Sequence, residues 1–263
     1  MKLEVGGHDC YAYTGGRPFA PGPGAIVFVH GGGLDHTVWL LQSRYFAHHG
    51  HGVLAIDLPA HGRSAGEPLT SIEAMAAWIE ALMGAARIER ATLVGHSMGA
   101  LVVLEAAARL AARAERLVML GVSVPMPVSD ALLASARAGE HAAFDMVNAW
   151  GHGHRAHLGG NQAPGMWMMG GGVRLLERSH PGVLYRDLEA CNAYRDGLAS
   201  AARVTCPAHV LLGADDRMSP VRSARALIDA LPDPKVRILE GCGHMLMAER
   251  PGEVLDALIE AID

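Results

Sequence analysis

The nine residues from Ala91 to Gly99 read ATLVGHSMG, and they decide the fold. The segment begins as a short apolar run of the kind that forms a buried strand, and the residues after Gly99 continue in a long apolar helix pattern. Ser97 therefore lies in a tight turn between a strand and a helix. A side chain at Gly95 or Gly99 would collide where the strand and the helix approach each other, so the two glycines support this prediction.

Short apolar runs alternate with longer segments of helical periodicity in the rest of the chain. This alternation is typical of an α/β fold, so we predict a mostly parallel central sheet covered by helices on both faces. The predicted strands are 25–30, 53–58, 91–95, 117–121, 209–213 and 236–239. The predicted helices are 70–86, 98–113, 221–231 and 251–262. Thr70 is the predicted N-cap of the first helix, with Glu73 closing a capping box.

One long stretch carries no strand signal. From about Ser123 to Ala202, glycine, histidine, methionine and helix-forming residues dominate. We predict a mostly helical insertion there, which divides the chain into three parts. Residues 1–122 form the first part of the α/β core, 123–202 form the insertion, and 203–263 form the second part of the core.

Composition excludes several classes of protein. The chain has 263 residues, of which 50% are hydrophobic and 19% charged, as in globular proteins. The net charge of -5, without a run of lysine or arginine, argues against nucleic-acid binding. The N-terminus lacks the apolar core of a signal peptide, and no stretch offers the roughly 18 apolar residues of a membrane span, so we expect a cytoplasmic protein. Four cysteines without a CxxC pair are expected to be free thiols.

Ser97 is a candidate nucleophile because the predicted turn exposes its hydroxyl beside a helix N-terminus. The free N–H groups and positive dipole end of that helix suit a developing oxyanion, and the Met98 N–H group is the predicted donor. The pentapeptide Gly95 to Gly99 is a weak signal by itself, since three fixed residues match often by chance. The alternative is a serine in an ordinary glycine-rich turn.

A serine hydroxyl needs an adjacent base that is held in place by a third group. Of the 15 histidines, His244 lies in a glycine-rich loop between the last predicted strand and the last helix, where active-site loops of such sheets gather. The acid is expected in a loop that also follows a strand, and Asp215 and Asp216 are the adjacent candidates. We select Asp216, because Asp215 suits the end of the strand or a local turn.

With these residues, the sequence resembles the α/β-hydrolase fold superfamily. The chain order Ser97, Asp216, His244 matches the order in that superfamily, whose acid commonly stands four residues before a proline, as Asp216 does before Pro220. The segment 57–64 (DLPAHGRS) is similar to the turn that follows the family's fourth strand. The resemblance implies that the insertion forms a cap over an active site.

The glycines of His30-Gly31-Gly32-Gly33 allow backbone N–H groups to approach a ligand. By similarity to the family's HGx loop, Gly32 supplies the second oxyanion donor, and Gly31 is the alternative. His30 is expected to brace this loop. In the insertion, the run 166–169 offers an adaptable apolar surface, so Trp167 and Met168 are candidates for substrate contact, as is Trp39 nearer the N-terminus. Packing within the protein is the alternative for these three.

No metal or cofactor is predicted. His152, His154 and His157 lack carboxylate or cysteine partners at a recognisable spacing, and no GxxxxGK[ST] or GxGxxG element follows a strand.

The resemblance implies a serine hydrolase that cleaves a carboxylic ester, or a similar acyl bond, of a small to medium, largely apolar substrate through an acyl-enzyme on Ser97. Several alternatives use the same residues, namely a carbon-carbon bond hydrolase of aromatic-compound degradation, a lactonase, an amidase, a perhydrolase and an acyltransferase. A non-catalytic ligand-binding protein on the same fold is a further alternative. No partner other than the small-molecule substrate is predicted.

Overall fold

A computed structural model of the protein describes residues 1–21, 24–160, 162 and 167–263. The strands are β1 (Lys2–Val5), β2 (His8–Tyr13), β3 (Ala25–Val29), β4 (Val53–Ile56), β5 (Ala91–His96), β6 (Ala114–Leu120), β7 (Ala208–Gly213) and β8 (Lys235–Leu239). The helices are α1 (Leu40–His48), α2 (Ile72–Ala85), α3 (Met98–Leu110), α4 (Asp130–Ala138), α5 (His141–Gly151), α6 (His154–His157), α7 (Met168–Glu177), α8 (Val183–Ala193), α9 (Gly197–Ala201), α10 (Arg225–Ala230), α11 (Leu246–Glu249) and α12 (Pro251–Ile262).

The strands form one eight-stranded sheet in the order β1-β2-β4-β3-β5-β6-β7-β8. Strands β3 to β8 run parallel, and β1 and β2 join at one edge by antiparallel pairing. The prediction of a mostly parallel α/β sheet is confirmed. Because β4 and β5 lie on opposite sides of β3, the strand order reverses there. The crevice beyond the carboxyl ends of β3 and β5 is the usual ligand position in open sheets of this kind.

Helices cover both faces of the sheet, and β3 shows how the sequence divides between them. Ile26 and Phe28 point into a buried cluster that includes residues of α1 and α12. Val27 and Val29 point into a second cluster with residues of α2 and α3. All five residues of β3 are buried, as expected for an alternating pattern that is apolar on both faces.

Two local predictions differ from the structure. The side chain of Ser71, not Thr70, caps α2 by accepting the N–H of Ala74 at 3.1 Å. Glu73 is therefore one residue too early to close a capping box, and that prediction is wrong. The strands β1 and β2 were not predicted from the sequence, because most of their residues are exposed or half-buried and give no apolar run.

The predicted insertion is helical. Six helices, α4 to α9, lie between β6 and β7, and no strand occurs there among the described residues. We use the name cap segment for residues 123–202. Part of it forms a small core of its own around Leu132, Leu184 and Leu188. Its last part packs into the main core, where the Tyr194 hydroxyl donates to the buried carboxylate of Glu105 at 2.9 Å.

All four cysteines are buried free thiols. Within the described ranges, no helix is both long enough and apolar enough to cross a bilayer.

Candidate active site

Ser97 lies between the end of β5 and the first residue of α3 in a strained backbone conformation. Its φ is 54° and its ψ is -119°, a region that residues with a side chain rarely adopt. A Cβ atom on Gly95 would lie 2.2 Å from the Gly99 carbonyl oxygen, and one on Gly99 would lie 2.4 Å from the carbonyl oxygen of Val29. Both glycines are therefore required for the turn, as the sequence predicts.

His244 and Asp216 meet at the carboxyl end of the sheet. The Nδ1 atom of His244 lies 2.7 Å from Oδ2 of Asp216, and both side chains are buried. The other carboxylate oxygen accepts the N–H groups of Met218 and Ser219 at 2.8 Å. Burial by itself would raise the pKa of Asp216, but His244 and these amides outweigh burial and lower it. The acid is thus held ionised, and Asp215 is exposed.

Ser97 and His244 line the same cavity, which has a volume of about 230 Å³. The Nε2 atom of His244 is buried and has no hydrogen-bond partner among the described residues. Since Nδ1 faces a carboxylate, Nδ1 carries a proton and Nε2 is the free acceptor. Most of the wall is apolar, with residues that include Met126, Val128, Leu132, Val147, Leu176 and Leu188.

The glycine loop after β3 forms another part of the wall. Gly31, Gly32 and Met98 all line the cavity. Among the described residues, neither the Gly32 nor the Met98 N–H group donates to a protein acceptor. Gly31 lies close to the turn, since a Cβ atom there would be 3.3 Å from Cβ of Ser97. Backbone N–H groups without an internal partner are therefore available beside the serine.

His30 connects this loop to the chain that follows β4. Its Nε2 atom accepts the N–H of Leu58 at 3.2 Å, so its Nδ1 atom carries the proton and donates to the Gly31 carbonyl at 2.9 Å. Burial lowers the pKa of His30 to about 4, which keeps the ring neutral. His30 has no exposed surface, and its two hydrogen bonds hold the glycine loop against the chain that follows β4.

Sequence comparison assigns the chain to a protein family. A family model described as "Alpha/beta hydrolase family" matches residues 26–257, a range that contains the parallel strands β3 to β8 except Ala25, the first residue of β3. The chain belongs to the alpha/beta hydrolase family.

Individual proteins resemble this alpha/beta hydrolase over nearly its full length. A pimeloyl-(acyl-carrier protein) methyl ester esterase of Aromatoleum aromaticum is 29% identical, over 90% of this chain and 97% of its own. An (E)-2-((N-methylformamido)methylene)succinate hydrolase of Acinetobacter baylyi is 23% identical, over 89% of this chain and 88% of its own. Among solved structures, an enol-lactonase of Burkholderia xenovorans superposes with a TM-score of 0.85 at 22% identity, covering 99% of this chain and 98% of its own.

Two residues that the sequence analysis did not select lie against His244 in this alpha/beta hydrolase. Gly121, directly after β6, has a φ of 58°, and a Cβ atom there would lie 3.0 Å from Nδ1 of His244. His96 donates from Nε2 to the His244 carbonyl at 2.8 Å, a contact between residues 148 positions apart. The glycine that ends the apolar run of β6 is a signal that was present in the sequence.

A buried glutamate joins the cap segment to the His244 loop. The carboxylate of Glu249 accepts the N–H of Gly153 at 3.0 Å and the N–H of Gly243 at 3.1 Å. Beside it, Met245 donates its N–H to the Gly151 carbonyl at 2.9 Å. The end of α5 is thus fastened to the residues on either side of His244.

A second carboxylate joins the cap segment to the glycine loop. Asp187, on α8, is fully buried, and its Oδ2 atom accepts the N–H of Gly33 at 2.7 Å. The same oxygen lies 2.8 Å from Nε2 of His61. His61 and Asp187 are 126 residues apart in the chain. No motif in the sequence marks Asp187, because its partners come from a distant part of the chain.

None of the three candidate substrate-contact residues lines the cavity. Trp39 is fully buried in the core, with its ring centroid 5.2 Å from that of Phe28. Trp167 is 75% exposed on the outside of the cap segment, and its ring covers Gly170. Met168 is buried, but it lies on α7 one turn before Gly172, the first residue of that helix to reach the cavity. Residue 166 lies outside the described ranges.

Two other groups of polar residues make bonds within the protein. His152 and His157 bond through ring nitrogens to the carbonyls of Asn148 and Ala149 near the end of α5, at 2.8 and 3.1 Å. Asp35, His36 and Asp57 hold ligand atoms within 4.8 Å of one another. In that trio the His36 N–H donates to Asp57 at 2.7 Å, and the Arg178 guanidinium donates to Asp35 at 2.7 Å.

Proposed function

We propose that the protein is a serine hydrolase that cleaves a carboxylic ester of a small to medium, largely apolar substrate through an acyl-enzyme on Ser97. One observation carries the proposal. A buried Asp216–His244 pair, with 2.7 Å between Oδ2 and Nδ1, leaves the His244 Nε2 atom free in the cavity that Ser97 also lines.

In this mechanism, His244 acts first as a base and then as an acid. Its Nε2 atom takes the Ser97 hydroxyl proton as the serine oxygen attacks the ester carbonyl, and Asp216 holds the imidazole in the tautomer that leaves Nε2 free. The resulting imidazolium is stabilised by the Asp216 carboxylate. His244 then gives the proton to the leaving alcohol, and a water molecule, activated in the same way, releases the acid from Ser97.

Backbone N–H groups stabilise the oxyanion in both steps. We assign Met98 and Gly32 as the donors, with Gly31 as the alternative to Gly32. The assignment is supported by the position of all three in the cavity wall and by the absence of a protein acceptor for the Met98 and Gly32 N–H groups among the described residues. Donors that are already in place need no reorganisation when charge develops, and one such donor typically contributes about 3 kcal/mol to transition-state stabilisation.

The cavity supports a substrate of limited size and mostly apolar character. Its volume of about 230 Å³ and its aliphatic wall suit a short acyl or aromatic group, which gains free energy when it leaves water. The name of the Aromatoleum aromaticum relative, a methyl ester esterase, supports an ester as the bond that is cleaved. We also propose that the enzyme acts in the cytoplasm, in keeping with four free and buried thiols.

The test is the hydrolysis of a chain-length series of p-nitrophenyl esters by the wild type and by Ser97→Ala, together with labelling by a serine-reactive phosphonate and mass spectrometry. We expect turnover that declines as the acyl chain outgrows the cavity, a label on Ser97 alone, and a loss of about a thousandfold or more in kcat for the variant. Ser223, which is exposed and does not line the cavity, provides the matched control, and we expect Ser223→Ala to keep wild-type turnover.

The outcomes separate the alternatives. A labelled Ser97 without ester turnover would assign the same residues to another bond, and lactones and ring-cleavage diketones would then be assayed. Neither label nor turnover would favour a ligand-binding protein. Activity of more than a few per cent in Ser97→Ala would show that the nucleophile is wrongly assigned.

A further inference from the structure

A fully buried carboxylate links the cap segment to the glycine loop. Asp187 has no exposed surface, and one of its oxygens accepts both the Gly33 N–H group and a hydrogen from the His61 ring, at 2.7 and 2.8 Å. The residues come from α8, from the loop after β3 and from the turn after β4. Three separate parts of the chain thus meet at one carboxylate oxygen.

The protonation state of His61 follows from its two partners. Its Nδ1 atom lies 2.9 Å from the Pro59 carbonyl, which can only accept, so Nδ1 carries a hydrogen. Its Nε2 atom faces the Asp187 carboxylate, which also accepts. Burial by itself would lower the pKa of His61, but the Asp187 carboxylate outweighs burial and raises this pKa. The two side chains therefore form a buried ion pair.

The glycine loop fits closely against α8. A Cβ atom on Gly32 would lie 3.2 Å from Cβ of Asp187, and one on Gly33 would lie 2.9 Å from Cδ1 of Leu184. Gly33 also has a φ of 69°, which favours glycine. The loop consequently has little freedom to move while α8 is in place. The Gly33 N–H group is occupied by Asp187, and the preceding N–H group, that of Gly32, is left free at the cavity.

We propose that Asp187 is a positioning residue for the oxyanion donors. By holding the Gly33 N–H group, it fixes the peptide plane between Gly32 and Gly33. The neighbouring plane carries the Gly32 N–H group and the Gly31 carbonyl that His30 holds, so with both planes fixed the Gly32 N–H group stays directed at the position where the oxyanion forms. The cap segment thus determines the geometry of the oxyanion site as well as covering it. This inference rests on the proposed function for its kinetic test, and it has a second test that requires no turnover.

The kinetic test compares two variants that each weaken a buried bond between the cap segment and the core. Asp187→Asn changes the bond to the glycine loop, and Tyr194→Phe removes the hydroxyl that donates to Glu105, away from the loop. We expect kcat on a good p-nitrophenyl ester to fall by about 10 to 100-fold in Asp187→Asn with KM within about threefold, because a misplaced donor weakens the transition state selectively. In Tyr194→Phe, kcat stays within about twofold even where the unfolding midpoint drops.

Affinity for two inhibitors separates positioning from a loss of packing. A boronic acid forms an adduct with a serine that places an oxygen at the oxyanion position, whereas a matched neutral amide binds only in the cavity. Asp187→Asn should weaken the boronic acid by about the same factor as kcat and leave the amide within about twofold. Equal weakening of both inhibitors, or kcat equal to that of Tyr194→Phe, would overturn the proposal.

Hydrogen exchange of the Gly33 amide, followed by NMR in the wild type, covers the case in which Asp187→Asn does not fold or no ester is hydrolysed. A buried N–H group bonded to a carboxylate should exchange slowly, at the rate of neighbouring core amides. Exchange as fast as in an exposed loop would overturn the inference whatever the enzymatic outcome. Slow exchange with no labelling of Ser97 would leave Asp187 as the holder of the loop and disprove the proposed function alone.

Discussion

His96 donates a hydrogen bond from Nε2 to the backbone carbonyl of His244 at 2.8 Å, so the residue before the candidate nucleophile holds the chain that carries the candidate base. The ring of His96 is buried, and its Nδ1 atom has no partner among the described residues. The ring of His96 packs against the ring of His244, with 4.8 Å between the ring centroids. Ser97 and His244 therefore line one cavity, and the hydrogen bond of His96 also links the chain segments that carry them.

The burial of His96 predicts that the folded protein loses stability in acid. Burial, with a contribution from the nearby His244 ring, lowers the pKa of His96 to about 3. In the unfolded chain the group takes up a proton near its ordinary value of 6.5. Between these values the unfolded state binds one more proton, so the free energy of unfolding falls by about 1.4 kcal/mol for each pH unit of acidification on account of this group.

The measurement is urea unfolding between pH 6 and pH 4 for the wild type and His96→Gln. The glutamine amide keeps a donor near the position of Nε2 and has no proton to gain. We expect the slope of unfolding free energy against pH to be shallower in the variant by about 1.4 kcal/mol per unit. Parallel slopes would show that His96 is not held neutral.

The buried pair of His61 and Asp187 predicts that the free energy of unfolding falls as the pH rises, whereas His96 makes it fall as the pH drops. The folded-state pKa of His61 lies above its ordinary value of 6.5, so its stabilisation is fully present below that pH and is lost as pH rises through the folded pKa. The difference in unfolding free energy between the wild type and His61→Gln should therefore be largest near pH 6 and shrink towards pH 10. A constant difference across this range would indicate that His61 is neutral in the folded protein.

Gly121→Ala is expected to disturb the base directly. The new methyl group would lie 3.0 Å from Nδ1 and 3.2 Å from Cε1 of His244, so the ring has to give way by a few tenths of an ångström, which disturbs its 2.7 Å contact with Asp216. We expect kcat to fall by about 10 to 100-fold, with roughly 1–2 kcal/mol of destabilisation from the positive φ.

Gly139→Ala is the matched control for that variant. Gly139 has a similar φ of 68°, and no atom lies within 4 Å of the position of its Cβ. Its substitution carries the backbone strain without the contact to His244, and kcat should be unchanged. Equal kinetic losses in the two variants would assign the effect to general destabilisation.

Glu249→Gln is expected to loosen the loop of His244. An amide nitrogen donates and cannot accept hydrogen bonds. If the glutamine oxygen takes the place of Oε1, the Gly153 N–H group loses its partner; if it takes the place of Oε2, the amide nitrogen faces the Gly243 N–H group at 3.1 Å as a second donor. A buried N–H group without a partner costs about 1–3 kcal/mol, and kcat should fall because the base is less well held. The exposed Glu253, changed to Gln, should alter stability by less than about 0.5 kcal/mol. Wild-type kinetics in Glu249→Gln would show that the loop does not depend on this link.

The parallel core was predictable because the sequence signals of each strand, turn and helix lie close together in the chain. Strand β5 and the turn at Ser97 follow from an apolar run, two glycines and an apolar helix, all within about 20 residues of the chain. The hairpin of β1 and β2 was missed, although Gly6 and Gly7, with φ of 61° and 81°, form the glycine pair that typically joins such strands. Most side chains of the two strands are exposed or half-buried, so the strands give no apolar run in the sequence.

The candidate site was predictable only in part, because some of its residues bond to partners that are far away in the sequence. Ser97, Asp216 and His244 each follow a strand in a recognisable loop, so the topology brings them to one edge. Asp187 lies within an ordinary amphipathic helix, and its partner Gly33 is 154 residues away. Trp39 and Met168 have the chemistry of substrate-contact residues but do not line the cavity, because composition does not reveal which way a side chain points.

The ion pair of Asp187 and His61 bears on the evolution of this protein. A cap that carries the counter-charge of a core histidine is not an independent module that recombination can exchange. A chimera that received a relative's cap without a carboxylate at this place would leave a buried imidazole and the Gly33 N–H group without an acceptor, a defect of about 3–5 kcal/mol. New substrate ranges should therefore arise here by substitutions within the existing cap, or by an exchange in which residue 61 changes together with it.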